Sequence, residues 1–171
     1  MLRVIPEGWF SYDFTVFDRG GTPVARGDLS NWRETAKLEV GGERYEAHRK
    51  GRRSKEFVLE KEDGQVVAVA EKPSAWKGPF VVEHGGNRYE LDKESGWKST
   101  FVLRSDGVGQ VGYVRSEGVF KREWIAELPE ELPLEAKVFI VWLVVLLWKQ
   151  AASAAATTQA AATGAAAGAS G

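Results

Sequence analysis

The sequence predicts a mainly β protein, a closed antiparallel barrel of about twelve strands around a C-terminal hydrophobic helix. Three observations lead there. Residues 1–128 alternate short apolar runs with Gly, Asp and Pro punctuation, as all-β chains do. The same region repeats itself at a spacing of about 44 residues, so each repeat is one supersecondary unit. Finally, every position from Val138 to Trp148 is apolar, which describes either a helix buried on all sides or a membrane span.

The repeat is read residue by residue. Gly41-Gly42-Glu43-Arg44-Tyr45-Glu46 returns as Gly85-Gly86-Asn87-Arg88-Tyr89-Glu90, and Phe57-Val58-Leu59 returns as Phe101-Val102-Leu103. Phe80-Val81 becomes Trp124-Ile125, and the turn at Glu62-Asp63-Gly64-Gln65-Val66 matches Gly107-Val108-Gly109-Gln110-Val111. A first copy runs through Phe14-Thr15-Val16, Gly20-Gly21 and Val24-Ala25-Arg26, with Trp32 standing before Trp76 at the same offset. In the second unit the strands are expected at Arg44–Lys50, Glu56–Lys61, Gln65–Lys72 and Phe80–His84. Asp63-Gly64 has the chemistry of a type I′ hairpin turn.

Three such units make about twelve strands, too many for an open flat sheet, so the sheet closes and loses its edges. A barrel of that size is too wide for its own side chains to fill. The apolar helix is the natural plug. A span needs about 20 apolar residues, and runs of roughly 10–14 are more often core. Lys137 and Lys149 bracket this run tightly. Pro133 suits a helix start, and Glu130, Glu131 and Glu135 favour the positive end of the helix dipole. A helix over 133–150 is roughly 25 Å long, comparable to a barrel's height.

These elements make one domain, 1–150, with the central helix at 133–150. Residues 151–171 are low-complexity Ala, Gly, Ser and Thr; Ala151 to Ala156 could extend the helix, and 155–171 is expected to be disordered.

Twenty-three basic and 24 acidic residues leave a net charge of −1, so no global field argues for nucleic acid or membrane. The chain has no cysteine, which excludes disulfides, thiolate metal sites and a cysteine nucleophile, and fits a reducing cytosol. Met1 to Pro6 has no apolar h-region, so no secretory signal is expected.

The sharpest charged motif is His48-Arg49-Lys50-Gly51-Arg52-Arg53-Ser54-Lys55, five cations around a glycine turn. Arg49, Lys50, Arg52, Arg53 and Lys55 are the candidate anion- or lipid-binding residues, at about 1 kcal/mol per cation near an anionic surface. The competing reading is a solvated loop whose charge Glu56, Glu60 and Glu62 partly neutralise. His48 and His84 have no metal-ligand spacing, and no serine lies in G-x-S-x-G. Gly107-Val108-Gly109-Gln110-Val111-Gly112 imitates a dinucleotide fingerprint but lies between strands rather than opening a helix. Trp9, Trp32, Trp76, Trp97 and Trp124 could stack bases or sugars, although their repeat spacing favours shared packing. No catalytic, cofactor or metal residue is therefore assigned.

Repeated G-x-x-Y…F-x-L…D-G…V units closed by a P-x-E-x-x-x-apolar-W helix resemble the tubby C-terminal-like superfamily, and within it the LURP-one-related proteins. Phospholipid scramblases are more distant cousins. The resemblance covers about 9–150, and it implies a twelve-stranded barrel around a buried helix. It implies little about activity: tubby domains bind phosphoinositides and scramblases act at membranes. This chain lacks a Cys-rich palmitoylation segment, a Pro-rich N-terminal extension and an Asp-rich calcium loop. No phosphoinositide-binding residue can be carried over.

The leading expectation is a non-enzymatic, cofactor-free barrel domain, cytoplasmic or peripheral to a membrane, that binds anionic phospholipid or a protein partner. Nucleic acid and a transmembrane span are not expected. One alternative is a single-pass or tail-anchored membrane protein with a cytosolic β domain. Another is a small-ligand carrier or enzyme using the barrel cavity.

Overall fold

The computed structural model describes residues 1–8, 12–30, 33–72, 79–94, 99–117 and 123–167, with helix side chains described as far as Ala154. Trp9, Trp32, Trp76 and Trp97 lie outside the described residues. The first four strands are β1 (Leu2–Pro6), β2 (Phe14–Phe17), β3 (Pro23–Leu29) and β4 (Thr35–Val40). β5 (Glu43–Arg49), β6 (Glu56–Lys61), β7 (Val66–Glu71) and β8 (Phe80–His84) follow. β9 (Asn87–Lys93), β10 (Thr100–Ser105), β11 (Gly109–Glu117) and β12 (Glu123–Glu127) precede one helix, α1 (Leu134–Ala167).

Each strand pairs antiparallel with its neighbours in sequence, and β12 returns to β1 through Leu2↔Ala126 and Val4↔Trp124, closing the barrel. Closure leaves no edge strand to aggregate. Along the strands, period-two alternation sends Phe14, Leu38, Ala47, Leu59, Leu91 and Leu103 inward, all almost fully buried. The strand ladder is interrupted after Val16, Leu59 and Leu103, at the spacing of the sequence repeat.

The turns divide into two kinds. Gly41-Gly42 and Gly85-Gly86 both have positive φ at each residue (57° and 85°; 56° and 80°), the two-residue turn that matches strand twist. Asp63-Gly64, expected to form the same turn, does not: only Gly64 is left-handed, at φ 83°. Its N–H donates to the Lys61 carbonyl at 2.9 Å, and the Lys61 N–H to the Gln65 carbonyl at 2.9 Å. A type I turn therefore precedes the left-handed glycine, and the extra residue is absorbed by the register shift in β6–β7. Asp63 instead caps the turn through the Gln65 N–H, 2.9 Å from Oδ1.

α1 fills the lumen. Val138, Phe139, Ile140, Val141, Leu143, Val144 and Val145 are completely buried, and Trp142 is 1% exposed. Trp142 stacks on Phe139 at 5.7 Å and meets Phe57 of β6 edge-on at 6.0 Å, so ring contacts join helix to wall. By length and composition Leu134–Ala154 could cross a bilayer, but its apolar run is spent inside the sheet. The helix is longer than the expected 133–150. Its backbone continues to Ala167 because a helix already nucleated in the barrel propagates through alanine, the best helix former. Residues 155–171 are Ala, Thr, Gly, Ser and Gln with no large apolar side chain to anchor them, so truncation after Ala154 should leave the melting temperature within a few degrees of the full chain.

α1 enters where β12 ends, beside the short turns, and leaves among the longer connections. We call these the turn end and the loop end. At the turn end Tyr45, 7% exposed, donates to Glu43 Oε2 at 2.8 Å. Burial first, then that hydrogen bond and the nearby Glu135 carboxylate, push its phenol from 10.0 up to about 12. A phenol whose folded pKa is raised stabilises the fold fully below its unfolded value and loses that contribution as pH climbs through the folded one. Thermal melts should therefore decline between pH 10.0 and about 12, and Tyr45→Phe should make that decline shallower.

Two strand glycines mark close approach. A Cβ on Gly112 of β11 would lie 2.5 Å from the Glu127 carbonyl oxygen, and one on Gly27 of β3 would lie 2.7 Å from the Phe14 ring. Gly112→Ala must displace backbone rather than a side chain. Overpacking of that kind costs about 1–3 kcal/mol, and a fall in melting temperature of several degrees is the expected reading.

Candidate functional site

The basic motif is the connection between β5 and β6, at the loop end. Its backbone is fastened: the Lys50 N–H donates to the Glu56 carbonyl at 3.0 Å and the Ser54 N–H to the Gly51 carbonyl at 2.9 Å. Ser54 Oγ accepts the Glu56 N–H at 3.1 Å, a short polar side chain substituting for a ladder bond. The Lys72 N–H reaches the Lys55 carbonyl at 2.9 Å, tying the hairpin to the end of β7.

The five cations separate into different roles. Arg49 is half-buried, stacks 4.9 Å over the Phe57 ring, and donates to Glu34 Oε1 at 2.9 Å and to the Ser54 carbonyl at 3.3 Å. It is a structural tether rather than a free cation. Lys50 pairs with Glu56 at 2.9 Å. Arg52, Arg53 and Lys55 are exposed. Among the described residues no hydrogen bond or ion pair engages Arg52 or Arg53. The structure thus brings the motif together and leaves its tip uncommitted.

Sequence reasoning missed what holds the hairpin in place. Glu34 Oε1 accepts from both Arg49 and Gln150 Nε2, the latter at 2.7 Å, so one carboxylate joins the β3–β4 connection, the hairpin base and α1. Beside it Lys149 Nζ donates to the Ser30 carbonyl at 2.7 Å and lies 5.5 Å from the Tyr12 ring centroid. Desolvation lowers its pKa against the opposing pull of Glu34 and Asp13. Beneath these polar groups Phe14, Trp124, Trp148 and Phe101 form a chain of ring contacts, the closest being Trp124–Trp148 at 5.1 Å. Trp124 is the described member of the tryptophan set, and it is used for packing. No local signal announces the Glu34 partnerships, because Gln150 lies 116 residues away.

Other concavities carry less. An open groove of about 720 Å³ lies on the outer face of β3 to β6. Its register sets Arg26 opposite Glu39, Asp28 opposite Lys37, and Arg44 opposite Glu39, a charge-alternating surface with no cationic excess. Glu46 and Glu60 are adjacent acids there, but no group of three His, Asp or Glu among the described residues could hold a metal ion. His84 Nδ1 contacts the Val67 carbonyl at 2.8 Å, bridging β7 and β8. Gly107 sits in the β10–β11 turn while Gly109 and Gly112 belong to β11, so the glycine series opens no helix. No family model matches the chain, and neither a curated protein nor a solved structure matches it.

Proposed function

We propose that this chain is a non-enzymatic barrel module that binds an anionic phospholipid surface through the β5–β6 hairpin. The observation that carries the reading is the tip itself: Arg52 and Arg53 are exposed and uncommitted among the described residues, on a backbone that hydrogen bonds hold in shape. A preformed cationic tip loses little freedom on meeting a surface. A packed lumen supports a binding role over catalysis, since α1 occupies the space an internal substrate would need. The order of a twelve-stranded antiparallel barrel and a C-terminal core helix also supports membership of the LURP-one-related, tubby-like group. Within this reading the protein is cytoplasmic and peripheral to a membrane.

The test is sedimentation with liposomes that contain or lack acidic lipid. Each cation near such a surface contributes about 1 kcal/mol, so losing two weakens binding roughly thirtyfold. Arg52→Glu with Arg53→Glu should abolish sedimentation with acidic vesicles, and raised salt should weaken the wild type. Binding that ignores both salt and the double substitution would refute the assignment.

A further inference from the structure

The β5–β6 connection carries one hydroxyl among its cations. Ser54 stands directly after Arg52 and Arg53 and directly before Lys55, with Arg49 and Lys50 a little upstream. Among the described Ser and Thr residues it alone follows two arginines. The Ser54 N–H bond to the Gly51 carbonyl, at 2.9 Å, makes Arg52 and Arg53 the central residues of a turn that Ser54 closes. The two guanidinium groups and the hydroxyl therefore share one corner of the molecule rather than being strung along a strand.

The hydroxyl is only half committed. Its Oγ accepts the Glu56 N–H at 3.1 Å, and among the described residues no group accepts its proton. Ser54 is partly exposed and lies between exposed Arg53 and Lys55. An ester oxygen at the same place keeps its lone pairs, so a group added to Oγ need not break the Glu56 bond. The substituent that suits this corner is anionic. A phosphoryl group brings about −1.5 to −2 charges at pH 7 and three acceptor oxygens. Arginine grips phosphate through paired N–H bonds, and Arg52 and Arg53 are the uncommitted pair. Magnitude decides the effect: the charge added is about equal and opposite to the two that carry the tip. Kinases that choose basic substrates read cations before the acceptor through complementary charge, and Lys50, Arg52 and Arg53 supply three exposed ones.

We propose that Ser54 is a phosphorylation site, and that its phosphoester releases the hairpin from an anionic phospholipid surface. This rests on the lipid-binding reading above and adds its regulation. In the step, a Ser/Thr protein kinase of basic specificity moves the γ-phosphoryl group of Mg-ATP to Ser54 Oγ. A bond forms between Oγ and the γ-phosphorus while the bond from that phosphorus to the β,γ-bridging oxygen breaks. The hydroxyl proton passes to a base of the kinase, and ADP leaves. The product pairs within the hairpin with the arginines that otherwise meet lipid phosphate.

Unmodified full-length protein is incubated with Mg-ATP and either the catalytic subunit of cyclic-AMP-dependent protein kinase or protein kinase C, and phosphopeptides are mapped by mass spectrometry. Phosphate is expected on Ser54 and is expected to vanish from that peptide in Ser54→Ala. No phosphate at Ser54 with either kinase would overturn the site. Full-length protein with phosphoserine installed at Ser54 during translation is then compared with unmodified protein in sedimentation with phosphatidylcholine–phosphatidylserine vesicles. Cancelling two cations should weaken binding roughly thirtyfold near neutral pH. The phosphate gives up its second charge below about pH 6, so the deficit should shrink at about pH 5. A damaged hairpin would not recover in that way. Treatment with a phosphatase should restore binding in full. Binding that phosphoserine leaves unchanged, or a loss that neither acid nor phosphatase reverses, would overturn the switch and keep the lipid reading. Unmodified protein that ignores acidic vesicles would overturn both.

Discussion

Val141→Asp, Leu143→Asp and Val145→Asp are each expected to yield insoluble or unfolded protein. The three positions succeed one another by roughly 200° around the helix, so together they sample opposite sides. All three are 0% exposed, and the strands surround every face of the helix. An ordinary amphipathic helix would tolerate a carboxylate on at least one of these faces. Here none is near water, and a buried unpaired carboxylate costs several kcal/mol against the 5–15 kcal/mol that holds a whole domain together. Soluble expression, circular dichroism and thermal melting would check the result. A folded, soluble Leu143→Asp protein would show that a face of α1 reaches solvent.

Removing the helix is expected to have the second large effect. A fragment ending at Leu132 keeps all twelve strands and every strand-to-strand hydrogen bond, yet it loses the plug. Phe57, Leu59, Leu91 and Leu103 then face an empty lumen that water enters, and their burial is the main favourable term in folding. The fragment should aggregate or populate a loosely packed state that binds hydrophobic dyes. A tethered membrane anchor predicts the reverse: a soluble, cooperatively melting β domain released from its anchor. Calorimetry of 1–132 distinguishes the two, and a sharp reversible transition would contradict the central role of α1.

Strand positions were legible in the sequence because hairpin signals are local. Gly41-Gly42 and Gly85-Gly86 each join strands adjacent in sequence, and the alternation of apolar residues fixes which face is inward. The type of the Asp63-Gly64 turn was not legible. Asp-Gly serves both a two-residue turn and a type I turn with a bulge, and the register of the flanking strands selects between them. Arg49 shows the same limit for the candidate site. In sequence it is one of five equivalent cations; in space Glu34 and the Phe57 ring occupy it, leaving Arg52 and Arg53 as the open pair.

Pattern and chain connectivity were enough to predict a barrel of about twelve strands, its internal repeat and the position of one helix apolar on all sides. They could not decide whether that helix lay in protein or in lipid, since both environments ask for the same apolar residues. Only the closed sheet around Val138–Leu146 decided that. The tertiary structure alone also assembled the Glu34 junction, from residues far apart in the chain that up-and-down pairing brings to one rim.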